Sequence, residues 1–210
     1  MDVPAPRVPE ALLEGWRPIE DRTERPFQAG PIAVNAHTIV YEDETRRRRI
    51  RESIGSNADT VWRFYVVSRL RLTPRTSTST VLTRIVESNA MAAFERKLHE
   101  RGFESVSRTG RRTLEIRGTL ARMTQFDAIV PVPGLGVDVA ARAALAVRPG
   151  DREYILAGGA YPRELIGDDG DRVGTGSRSR TDENDAEALA EYLDPEADRS
   201  ELLRLIRSTS

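Results

Sequence analysis

The sequence predicts an α+β fold: a central antiparallel sheet of about six or seven strands with helices packed on it. Three observations carry this. Residues 103–160 keep a period of two, interrupted by the turn signals Thr109-Gly110, Pro133-Gly134 and Pro149-Gly150. Residues 60–72 alternate sharply, with Trp62, Phe64, Val66, Leu70 and Leu72 on one side and Arg63, Tyr65, Arg69 and Arg71 on the other, so one face is expected to be buried and the other wet. Met91, Phe94 and Leu98 recur at helical spacing within residues 89–101, and Gly102 stands where a left-handed cap belongs.

The remaining elements follow in chain order. Residues 1–10 hold three prolines and no apolar period, which predicts a flexible lead-in. Residues 16–27 form a weak strand candidate ended by Ala29-Gly30-Pro31, and residues 32–41 alternate as a half-buried strand. Residues 45–54 place Ile50 and Ile54 on one helical face, with Gly55 as the stop. Pro74 and the run Thr76-Ser77-Thr78-Ser79-Thr80 mark a loop, after which residues 81–86 suit either a strand or the first turns of a helix. Past the closing strand at 154–160, residues 162–166 read as a short helix. Residues 167–184 are nearly all Gly, Ser, Thr, Asp, Glu and Arg, a composition expected to remain mobile. Two helical stretches end the chain at 185–193 and 195–206, the second with Asp194 as N-cap and Pro195 in its first turn. The expected organisation is thus a lead-in at 1–10, one core domain at 11–166, a polar insertion at 167–184 and a C-terminal helical segment at 185–207 that packs on the core.

Composition narrows the function classes. A formal net charge of -1 supplies no global field toward nucleic acid or anionic lipid. Only Lys97 among the 32 basic residues is lysine, a bias that fits a GC-rich genome. With no cysteine, disulfides, thiolate metal sites and thiol nucleophiles are excluded. The first residues lack a charged start followed by an apolar run, so a cytoplasmic location and no membrane association are expected.

Four motifs invite a functional reading. Gly134-Leu135-Gly136 resembles the opening of a dinucleotide fingerprint, but Val139 occupies the third glycine position and the following residues alternate as a strand does. No cofactor is expected there. Arg46, Arg47, Arg48 and Arg49, extended by Arg51, form a block of the kind that grips phosphates. Glu42, Asp43, Glu44 and Glu52 flank it, which favours a neutralised helix face over a nucleic-acid site. His37 and His99 are the only histidines, too few for a metal centre built on imidazole, and no serine elbow or paired-carboxylate spacing accompanies them. Gly158-Gly159, ahead of Ala160-Tyr161-Pro162, signals a close approach to the backbone, with a packed helix as the expected cause.

The strand ending at Tyr41, the helix ahead of a meander, and a closing strand running into Ala160-Tyr161-Pro162-Arg163-Glu164-Leu165 together resemble an uncharacterised halophilic-archaeal family, a domain of unknown function. The resemblance spans roughly residues 12–166 and the last helix. Members are often lipoproteins, whereas this chain has no lipobox cysteine, and its balanced charge departs from the acidity of halophilic proteins. The resemblance implies an antiparallel sheet flanked by helices, similar to PsbP-like domains, which mostly bind partners and assist assembly; it transfers no catalytic residue.

The expected function is therefore a non-catalytic protein-interaction or assembly module with a protein partner, self-association being an alternative. A small-ligand or substrate site between sheet and helices is the second reading, lined by Trp62, Tyr65 and Tyr161 with His37 as its polar group. Nucleic-acid binding through Arg46 to Arg51 ranks third.

Overall fold

In the computed structural model, which describes residues 3–55, 60, 62–166 and 180–210, the middle layer is a seven-stranded antiparallel sheet. Its strands are β1 (Trp16–Ala29), β2 (Ile32–Asp43), β3 (Phe64–Thr73), β4 (Glu104–Ile116), β5 (Thr119–Val132), β6 (Val137–Pro149) and β7 (Glu153–Ile166). The helices are α1 (Glu44–Ile54), α2 (Thr80–Glu100), α3 (Arg180–Ala190) and α4 (Pro195–Ser208). The spatial order β1-β2-β3-β7-β6-β5-β4 shows how two meanders join: α2 carries the chain to the far edge, and β4 to β7 walk back until β7 pairs with β3. None of the described helices is long and apolar enough to cross a membrane.

Both faces of this sheet are covered. Ile50 and Ile54 of α1, six residues of α2 from Leu82 to Leu98, and Leu189 of α3 pack on one face with Phe64, Phe126 and Val139. Leu202, Leu205 and Ile206 of α4 pack on the other with Tyr65, Met123, Ala144 and Ala157. The expectation of a wet face on β3 is therefore wrong at its centre: Tyr65 and Val67 are wholly buried and Arg63 is only 4% exposed, because α4 covers them. Two-sided burial also explains why Ala143–Val147 is buried without alternation in β6, as happens to strands enclosed between layers.

Local chemistry sets the ends of α2. The Ser79 hydroxyl accepts a hydrogen bond from the Leu82 N–H at 3.2 Å, placing the N-cap inside the hydroxyl run and resolving residues 81–86 as helix. At the other end, Gly102 at φ +82° lets its own N–H reach the His99 carbonyl, while the Phe103 N–H reaches Leu98, both at 3.0 Å. Phe103 then buries against the core beside Leu98, completing the predicted Schellman stop.

One turn and one short helix of the sequence expectation fall differently. Gly110 lies inside β4 at a register irregularity, and the β4–β5 hairpin turns instead at Arg117-Gly118, with φ +52° and +74°. Two successive positive φ angles match the twist of the flanking strands, which the Arg-Gly pair accommodates at its glycine. Residues 162–166 continue β7 as strand rather than helix; β3 pairs with β7 only as far as Ala160, so the N–H that Pro162 lacks is not missed on that side. Of the polar stretch at 167–184, residues 167–179 lie outside the described residues, and α3 begins within it at Arg180.

Gly159 shows what the paired glycines allow. A methyl there would collide first with the Phe64 carbonyl of β3 and then with Leu202 Cδ1 of α4 at 3.1 Å. The neighbouring strand and the packed helix both need the space.

Candidate functional site

The arginine block of α1 is absorbed by carboxylates. Arg46 holds Asp198 of α4 through two hydrogen bonds of 2.5 and 2.7 Å, Arg47 donates to Glu42 at 2.7 Å, and Arg48 faces Glu52 at 3.9 Å. Arg49 edges a cleft beside Trp16 and Arg63, and Arg51 lies in the last turn of the helix. Asp198 is 1% exposed and also faces Arg63, 3.4 Å away. Arg63 in turn reaches Asp43 at 3.1 Å and Glu201 at 2.8 Å, with its guanidinium stacked over the Trp16 ring. This cluster clamps β1, β2, α1 and α4 to Arg63, the residue that leads into β3. Burial alone would raise the Glu201 carboxyl, but the Arg63 charge and the hydrogen bonds from Arg63 and Trp16 hold it below the ordinary range.

The aromatic residues proposed for a ligand site do not converge. Trp62 belongs to the core under α1 and α2, whereas Tyr65 and Tyr161 belong to the core under α4. Tyr65 stacks on Tyr41 at 6.2 Å between centroids and pairs its hydroxyl with Thr209 Oγ1; burial pushes its phenol up. His37 is a tether: Nε2 lies 2.7 Å from Asp21 Oδ1 and Nδ1 lies 2.9 Å from the Val3 carbonyl, tying the N-terminal segment to the sheet.

A different set of residues forms a groove on the flank of α2. A cleft of about 490 Å³ opens between the first half of α2 and the β4–β5 hairpin at the sheet edge, lined by five arginines (84, 108, 111, 112 and 122) against one glutamate, Glu87. Glu87 pairs with Arg122 at 3.1 Å, and Glu95 takes Arg108 in a fork of 2.6 and 3.0 Å. Arg84 and Arg111 are exposed and have no carboxylate partner among the described residues. Arg112, whose strand partner Met123 packs under α4, keeps a buried Nε without a hydrogen-bond partner among the described residues, and burial together with Arg199 and Arg207 of α4 lowers its pKa. In a chain of net charge -1, the guanidinium groups of Arg84, Arg108, Arg111 and Arg122 thus gather on the α2 side of this sheet edge.

Helical and strand periods explain the gathering. Val81, Arg84, Ser88 and Met91 fall on one stripe of α2. Across the groove Thr113 stands opposite Arg122 and Arg111 opposite Thr124, so these side chains share one sheet face. Exposed apolar residues flank the cations: Val81 at 68% and Ile85 at 38% on the helix, and Leu120 at 65% two residues before Arg122. Sequence reading missed this site because its arginines are dispersed over three elements; Arg108 and Arg111, close together near a strand edge, were the available signal.

The sheet, its two helical coats and this cationic groove define a two-faced α+β protein built around a surface groove. The chain belongs to the family described as Domain of unknown function (DUF6517), whose model matches residues 5–210. No curated protein matches the chain in sequence. Among solved structures it is similar to the Saccharomyces cerevisiae Ran-binding protein Mog1p, with a TM-score of 0.38, 10% identity, and coverage of 91% of this chain and 95% of that one.

Proposed function

We propose that this chain is a non-catalytic interaction module that takes an acidic, partly apolar protein segment into the groove beside α2. The observation that carries the reading is the unbalanced charge of that groove, with Arg84 and Arg111 meeting no carboxylate among the described residues and flanked by the apolar side chains Val81, Ile85 and Leu120. A protein segment is favoured over nucleic acid because the lining contains no aromatic ring on which a base could stack, and because Glu87 and Glu95 stand among the arginines. Arginine suits this task, since its planar fork meets carboxylates in pairs. The module works in the cytoplasm, and a halophilic-archaeal source belongs to the same reading, supported by the resemblance of its strand and helix pattern.

The test is a fluorescence-anisotropy titration with a labelled peptide that alternates glutamate and leucine. Binding is expected to weaken about tenfold between low and physiological salt and to vanish in the double variant Arg84→Glu/Arg111→Glu, whose sites are exposed and leave the core untouched. Equal binding by the variant, or tighter binding of a single-stranded oligonucleotide than of the peptide, would overturn the proposal.

A further inference from the structure

The other flank of α2 covers a second opening, independent of the arginine groove. A cleft of about 360 Å³ lies between the second half of α2 and β1 to β3, within the range of small-molecule sites. Its floor is apolar, with Phe27, Val66, Leu70, Phe94, Leu145 and Leu156 in the lining, and charged side chains stand at its rim. Interiors normally close such spaces by packing, so an apolar opening of this size between helix and sheet is room for a guest.

Two polar features complete it. At the lining, Thr38 and Ser68 stand directly opposite each other on β2 and β3, their hydroxyls 2.6 Å apart and both residues buried. One hydroxyl donates to the other. The second hydroxyl hydrogen has no acceptor among the described residues, so the pair offers a donor within the cleft. At the rim, β1 bulges between Glu24 and Phe27, setting Arg25 and Pro26 against the single residue Asn35. Arg25 spends only Nε on Asn35, at 3.2 Å, and Arg96 of α2 is exposed with no carboxylate partner among the described residues. The other rim cations are already paired, Arg22 with Glu24 and Lys97 with Glu20 and Glu100.

We infer that this cleft binds an amphipathic organic anion, an apolar body lying under α2 and a carboxylate held at the rim by Arg25 and Arg96. Charge complementarity sets the head group, and the walls set the tail. The probe is decanoate, with decanol as the neutral analogue of the same length, followed by calorimetry and by NMR contacts between the decanoate chain and Val66 and Phe94. Decanoate is expected to bind about tenfold more tightly than decanol, and the double variant Arg25→Ala/Arg96→Ala is expected to remove that difference. Ala93→Trp, which fills the cleft, abolishes binding of both.

Absence of decanoate binding at millimolar concentration, equal affinity for decanol, or contacts mapping away from Val66 and Phe94 would each overturn the inference. If Ala93→Trp does not fold, those NMR contacts in the native chain decide alone. Phosphatidylglycerol vesicles form a further arm: co-sedimentation with vesicles without any response to decanoate overturns a free acid as the guest. Because Arg84 and Arg111 take no part, failure here leaves the peptide titration unaffected, and the reverse also holds.

Discussion

At the scale of single residues, side chains that look alike in sequence have opposite fates. Arg46 and Arg63 are walled in by Asp43, Asp198 and Glu201, whereas Arg84 and Arg111 are exposed and meet no carboxylate among the described residues. Glu42, Asp43 and Glu52 close to the α1 block made its neutralisation legible in advance. Asp198, its principal partner, sits 152 residues away, and no local pattern reports such a pairing. Trp62 and Tyr65 lie in different cores for a related reason: alternation says that Tyr65 faces away from Phe64 but not that a helix covers it. Removing one member of a buried ion cluster leaves the others charged and unpaired. Asp198→Ala, which takes both short hydrogen bonds from the Arg46 guanidinium and one of three carboxylates from buried Arg63, is expected to cost about 3–5 kcal/mol in urea denaturation, whereas Glu52→Ala on the exposed face should cost under about 0.5 kcal/mol.

At the scale of elements, period and punctuation locate most strands and the end of α2, and mislead where punctuation is redundant. The stop at Gly102 and Phe103 was readable because a single glycine is followed by a single apolar residue. The start was not: five consecutive hydroxyl residues, 76–80, all qualify as caps, and β-branched residues follow, so helix and strand competed on equal terms. Tertiary burial of Leu82 and Val86 decides for the helix. Ser79→Ala is expected to destabilise the chain by about 1 kcal/mol in urea, and Ser77→Ala, which caps nothing, by less than about 0.5 kcal/mol. Equal effects would place the cap elsewhere. The misread turn at Thr109-Gly110 has a similar origin, since a glycine within a strand can mark a bulge as well as a corner.

At the scale of the whole molecule, the sheet class and approximate strand number were legible, because period two over sixty residues has few other outcomes. The strand order was not, nor the burial of both faces, since each depends on contacts between distant parts of the chain. Those contacts also create the functional surface: α2 crosses the sheet with a gap on either flank, one lined by arginines and one by apolar side chains. The measurement that bears most directly on the central claim is an NMR titration of the intact chain with the glutamate–leucine peptide. Shift changes are predicted to concentrate at residues 81–91, 108–113 and 120–124 and to fade as salt rises. Changes centred on α4 or on the arginine block of α1, with none along this groove, would contradict the account.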